Sequence, residues 1–240
     1  MDGLPARALR QRLQSLAAAG VRQVPKAGRG GGRARGPASA PPADTAVLTK
    51  AGQDASGRLA VLRDEVAACH RCDELASART NTVFGSGPAD ARLCFFGEAP
   101  GADEDASGQP FVGRAGQLLT KIIEACTLKR EDVYILNVLK CRPPGNRPPL
   151  PDEVANCRGF FERQFQLIAP QFICCLGTSA AQALLQTTEP IGKLRGRWFS
   201  YGNARVLCTY HPSYLLRNPA AKRDVWDDMK ILMGEMGVNV

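Results

Sequence analysis

Two pairs of cysteines carry the first chemical signal. Cys69 and Cys72 form a CxxC (CHRC), and Cys141 and Cys157 stand far downstream. A quartet of thiolates can hold a structural zinc ion or an iron-sulfur cluster, and spacing alone does not choose between them. The bland alternative is a surface CxxC with two unrelated buried cysteines. The other five, Cys94, Cys126, Cys174, Cys175 and Cys208, lie in apolar stretches and read as core. Only two histidines occur, and His70 sits inside the CxxC, which leaves His211 as the free imidazole. Gly97 to Gly101 (GEAPG), Phe111 and Asn137 are further candidates. Each is weak alone: a strand-to-helix turn, a core aromatic, a turn former.

The elements that must position these residues follow from hydrophobic patterning. Helices are expected near 58 to 68, at 114 to 126, near 152 to 168, from Ser179 and near 221 to 236. Strands are expected at 92 to 96 (RLCFF), 133 to 139 (VYILNVL), 172 to 176 (FICCL) and 205 to 210 (RVLCTY). Near-continuous apolar strands alternating with helices indicate an α/β fold with a parallel sheet covered on both faces. Ligands in such sheets bind outside the carboxyl ends of the strands. Gly97, Asn137 and His211 all fall at or just beyond such ends, so they share one rim.

Several motifs occur in order along the chain: Cys69-His-Arg-Cys72, Gly97-Glu-Ala-Pro-Gly101, GQPFVGRAGQLL from Gly108 to Leu119, Asn137-Val-Leu-Lys-Cys141-Arg-Pro-Pro, Cys157, and His211-Pro-Ser-Tyr-Leu-Leu-Arg217. In these the sequence resembles the iron-sulfur uracil-DNA glycosylases of family 4, from about Leu59 to the C-terminal helix. The resemblance implies a three-layer α/β/α sandwich with a central parallel four-stranded sheet, and a [4Fe-4S] cluster on Cys69, Cys72, Cys141 and Cys157. It implies a repair enzyme that flips uracil out of DNA and hydrolyses its N-glycosidic bond. Gly97, Phe111, Asn137 and His211 would form the uracil pocket. Phe111 would stack on the base, the Asn137 amide would pair with O4 and N3–H, and His211 would face O2.

Two positions depart from the better-known enzymes of the wider superfamily. Ala99 stands where they carry a water-orienting aspartate, and Glu98, or water held by nearby backbone groups, is expected to take that role. Gly101 stands where they carry a tyrosine that excludes the methyl of thymine, so either another wall does so here or the enzyme is less strict toward thymine. For DNA grip, Leu215 and Leu216 are candidate wedges into the base stack, and Arg217, Arg142 and Arg147 candidate phosphate contacts. Two other readings stay open. One is a uracil-DNA-binding relative that becomes covalently trapped, a behaviour tied to a histidine in an inserted basic loop, although no histidine lies between His70 and His211. The other is a non-catalytic four-cysteine metal module docking on the replication machinery.

Charge and composition frame these expectations. The net charge of +8 suggests a polyanionic partner, but residues 1 to 45 hold eight Lys and Arg against two Asp and Glu, or +6, leaving +2 for the rest. Any DNA contact in the folded part must come from local patches. Residues 1 to 24 read as a short amphipathic helix, a candidate for docking on a protein partner, and 25 to 57 as a disordered Gly/Ala/Arg/Pro-rich linker. The glycosylase domain is expected over 58 to 240. The odd cysteine count and the lack of a long apolar run point to a reducing, cytoplasmic and nucleoid-associated setting. The expected partner is uracil-containing DNA, single- or double-stranded, with the protein a monomer.

Overall fold

The computed structural model describes residues 45–240, with side chains from residue 54. The helix expected over 1 to 24 and the linker from 25 to 44 lie outside the described residues. Helix α1 (Thr45–Ala67) begins well before residue 58, where it was expected. The reason is compositional: the last proline of the linker is Pro42, and the stretch that follows contains Ala, Leu, Lys and Gln with no proline before Pro88, so nothing there prevents a helix from extending toward its N-terminus.

Five strands form one sheet in the order β2-β1-β3-β5-β4: β1 (Leu93–Gly97), β2 (Tyr134–Asn137), β3 (Phe172–Leu176), β4 (Trp198–Tyr201) and β5 (Ala204–Thr209). The first four in spatial order are parallel, as the resemblance implies. The fifth, β4, is an addition: it pairs antiparallel with β5 and forms the sheet's edge. Its hairpin turn is Gly202-Asn203, with Gly202 at φ +56, a dipeptide suited to tight hairpins. The strand's partial exposure broke the buried-strand pattern used to find the others.

Each central strand is buried on both faces, and alternate residues serve different layers. Cys94 and Phe96 pack into a cluster with α1 and with α5 (Pro151–Ile168), where Phe96 meets the rings of Phe161 and Phe165 at 5.1 and 5.2 Å. Leu93 and Phe95 face the opposite cluster, built from α4 (Arg114–Ala125) and α9 (Lys222–Met236). That alternation makes the three-layer sandwich. Helix α5 starts with Pro151 at its first position and Asp152 and Glu153 in its first turn, both suited to the helix's positive end. It stops at Ala169, left-handed at φ +48, just before Pro170. Short helices α2 (Asp73–Ala78), α3 (Ala102–Ser107), α6 (Thr178–Leu185), α7 (Ile191–Leu194) and α8 (Pro212–Arg217) complete the chain.

Candidate active site

The carboxyl ends of β1 and β2 lie side by side, because the parallel register pairs Gly97 with Asn137. Past the end of β3, Gly177 (φ +88) lets the backbone approach His211: a Cβ there would lie 3.0 Å from His211 Cβ. The three strand ends therefore deliver Gly97, Asn137 and His211 to one rim, as the topology requires. Asn137 and His211 line a cavity of about 400 Å³ with Phe111 and Glu98, and Gly97 lies against Asn137 and Phe111. Ala99, Gly101, Arg147 and Arg217 also reach it.

Asn137 is the floor of this cavity. It is 2% exposed, and among the described residues its Oδ1 has no hydrogen-bond partner. A buried carbonyl oxygen left unpaired costs roughly 1–3 kcal/mol, so the site is built to receive an N–H from a ligand. Phe111 lies over the same space with its backbone left-handed at φ +53, unusual for a bulky residue. Its ring centroid is 5.6 Å from that of His211. A Cβ on Gly97 would come within 2.6 Å of Phe111 Cε2 and would also strike Asn137 Oδ1. Glycine at 97 thus leaves the slot between ring and amide open.

His211 caps α8. Its Nδ1 accepts the Ser213 backbone N–H at 3.1 Å and lies 2.8 Å from Ser213 Oγ. An accepting Nδ1 places the imidazole proton on Nε2. Burial lowers the ring's pKa from 6.5 to about 4, with the nearby Arg217 charge acting in the same sense and Glu104 opposing. The ring is therefore a neutral Nε2–H donor at neutral pH. Glu98 accepts a short hydrogen bond from Ser179 Oγ through Oε2, which fixes its carboxylate at the cavity wall.

Sequence reading missed several residues that shape the site. Glu104 is the chief one: Oε2 accepts from Gly101 N at 3.0 Å, and Oε1 accepts from Val112 N and Gly113 N, both at 2.9 Å. One carboxylate thus binds the loop after β1 to the loop that carries Phe111. It also lies 2.8 Å from where a Gly101 Cβ would stand, so a side chain at 101 would meet this carboxylate. A signal was present, since Glu three residues after a helix-capping position commonly reaches back to the cap's N–H. Arg130 holds the same loop from outside, donating to Pro110 O at 2.6 Å. No local pattern marked Arg130, Ser179 or Gly177.

The DNA-grip candidates separate. Arg217 is exposed at the cavity mouth. Arg142 donates from Nε to Asn146 Oδ1 at 2.8 Å. Arg147 lines the cavity, but its guanidinium makes a bidentate pair with Glu153 at 2.7 and 2.9 Å and reaches Glu74 at 2.7 Å. It ties the proline-rich loop to α5 and α2, and its charge is already matched by two carboxylates. Leu215 is corrected as a wedge: it is 1% exposed and packs in the cluster with α4 and α9. Helical geometry turns it inward and leaves the adjacent Leu216 exposed at 38%.

Among the described residues no three His, Cys, Asp or Glu side chains converge on the geometry of a single metal ion. Cys141 and Cys157 are buried in the same side of the core, and Cys69 and Cys72 pack against that side. The Cys141 thiol senses Cys69 and Cys72, and Cys157 senses Cys141 and Cys72. Burial raises the Cys157 thiol to about 11 and also raises Cys141. Hydrogen-bond donors point at these sulfurs: Arg79 Nη1 at 3.1 Å from Cys141 Sγ and Asn156 Nδ2 at 3.4 Å from Cys72 Sγ.

Comparison with known proteins agrees with this architecture. The family model described as "Uracil DNA glycosylase superfamily" matches residues 84–230. The chain is similar to the type-4 uracil-DNA glycosylase of Archaeoglobus fulgidus, 42% identical over 69% of this chain and 87% of the relative. It is also similar to that of Thermotoga maritima, 44% identical over 71% and 90%. Similarity extends to the type-5 uracil-DNA glycosylase of Pyrobaculum aerophilum, at 29% identity over 61% and 79%. The chain belongs to the uracil DNA glycosylase superfamily, and within it to the type-4 uracil-DNA glycosylases.

Proposed function

We infer that the protein releases uracil from DNA by hydrolysing its N-glycosidic bond, leaving an abasic site for base excision repair. The observation that carries this reading is the unpaired, buried Oδ1 of Asn137 beneath Phe111. The Oδ1 accepts N3–H of uracil while the amide N–H donates to O4. Cytosine offers an acceptor at N3 and a donor at its exocyclic nitrogen, so it would leave the same buried groups unpaired. Phe111 stacks on the base. The Glu104 carboxylate is the wall that stands where thymine's methyl would enter.

Uracil inside a duplex is out of reach, so the nucleotide is extruded, at a cost of a few kcal/mol of unstacking. As the C1′–N1 bond breaks, its electron pair leaves with uracil and positive charge develops on the sugar. The neutral His211 donates from Nε2 to O2, where the anion's charge gathers, and needs no proton transfer to do so. Glu98, held by Ser179, orients the water that adds to C1′. Arg217 and Arg142 contact phosphates, and the exposed Leu216 fills the gap left by the base.

The donor set at Cys69, Cys72, Cys141 and Cys157 fits a [4Fe-4S] cluster: Cys141 lies within electrostatic reach of Cys69 and Cys72, Cys157 of Cys141 and Cys72, and Arg79 and Asn156 supply N–H groups to sulfurs, as thiolates in such centres need. When bound, the cluster would cross-link α2, the proline-rich loop and α5. The chain's own residues do the chemistry. The deciding experiment is incubation with a labelled uracil-containing oligonucleotide followed by alkali, beside His211→Ala. Strand cleavage that is lost in the variant supports the reading; binding without base release from iron-loaded protein would favour a non-catalytic role.

A further inference from the structure

Lys140 is a lysine in the core, 1% exposed and one residue before the cysteine at 141. Buried lysines without a salt-bridge partner are rare, because removing the amino group from water is expensive. Its amino group is not idle. Nζ donates to Asn137 O at 2.9 Å and to Phe84 O at 3.2 Å. The backbone of the same residue is also committed: its carbonyl accepts Val83 N–H at 2.7 Å, and its N–H is directed at the Cys157 sulfur. One residue thus joins the peptide of Asn137, the strand-like segment before β1, and the four-cysteine cluster.

The consequence concerns Asn137. This residue ends β2; the N–H side of its peptide, Val138 N, donates to Gly97 O at 3.0 Å, and its side chain must present a buried amide to a ligand with, among the described residues, no protein partner on Oδ1. The Lys140 amino group holds the other side of that peptide, its carbonyl, and a tilt of the peptide about the Val138 bond would swing the amide out of line. We propose that Lys140 is a positioning residue for base recognition: its amino group fixes the Asn137 peptide and so aims the Asn137 side chain, while its backbone links that peptide to Cys157. The proposal rests on the assignment of Asn137 to the uracil edge and adds the residue through which that assignment is enforced. It also gives the cysteine centre a route of influence on the pocket through one residue.

A double-mutant cycle tests this, with single-turnover uracil release and iron per chain measured together for wild type, Lys140→Met, Asn137→Ala and the double variant. Methionine fills a similar volume without a donor. Lys140→Met is expected to keep its iron and to slow release by about tenfold, the scale of one lost hydrogen bond. In the Asn137→Ala background the same change is expected to cost less than about twofold, because its effect travels through that side chain. Lys140→Gln, which retains an N–H donor, is expected to recover part of the rate. Equal losses in both backgrounds would overturn the role of Lys140 and leave Asn137's intact. Full activity in Asn137→Ala would overturn the base assignment and the proposal together. Loss of iron or of folding in both Met and Gln variants would make Lys140 a structural residue only.

Discussion

At the scale of the residue, His211 shows how a side chain's partner decides its chemistry. Because Nδ1 is held by Ser213, the other nitrogen carries the proton toward the cavity. Replacing His211 with alanine removes a donor aimed at the departing base and should slow release by roughly 10²- to 10³-fold, as loss of one such donor does elsewhere; single-turnover cleavage measures it. The pH dependence follows from burial. With a folded pKa of about 4 against an ordinary 6.5, the native state disfavours protonation, so the ring's contribution to stability is complete above pH 6.5 and is lost as pH falls from there toward 4. The single-turnover rate should accordingly show no midpoint near 6.5, and one that disappears in His211→Ala would show that the ring titrates freely. Gly97→Ala places a methyl between Phe111 and Asn137, both buried, and should abolish uracil binding and, as overpacking of a buried strand does, also lower the melting temperature.

At the scale of the element, the parallel strands and their carboxyl-end rim were legible because continuous apolar runs such as FICCL can hardly be anything but buried strands. The rim then told where Gly97, Asn137 and His211 would meet. What stayed illegible was which side of a short helix faces inward. Leu215 and Leu216 are chemically identical neighbours, and only the packing of α8 on α4 and α9 separates them. Leu215→Ala should therefore destabilise the fold by about 2–5 kcal/mol. Leu216→Ala should leave stability within about 0.5 kcal/mol yet slow release from duplex DNA more than from single strands, since only the duplex has a gap to fill. Thermal unfolding and paired substrates distinguish the two. Glu104 was illegible for a related reason: its three backbone partners belong to two loops that sequence alone does not bring together.

At the scale of the whole molecule, charge is divided between a tail and a nearly balanced remainder, so total basicity says little about how the rim holds DNA. The arginines near the cavity differ in what already holds them. Arg217 is exposed, and Arg142 gives only its Nε to Asn146, whereas Arg147 is committed to Glu153 and Glu74. The hydrogen bonds that Arg147 donates to Glu153 and Glu74 push its pKa up, and Arg147 in turn holds the Glu153 carboxyl below its ordinary range. Removing one arginine from a phosphate should shallow the slope of log affinity against log salt by about one. Arg217→Gln and Arg142→Gln should each do so. Arg147→Gln should leave the slope unchanged and instead lower the melting temperature, because it releases the loop between Cys141 and α5 and leaves Glu153 buried without its partner. Titrations of the full chain at several salt concentrations make the comparison, and the tail's charge, common to all variants, cancels in the differences. A shallower slope for Arg147→Gln would mean that DNA draws its guanidinium away from the two carboxylates, and that the loop rearranges when the enzyme engages its substrate.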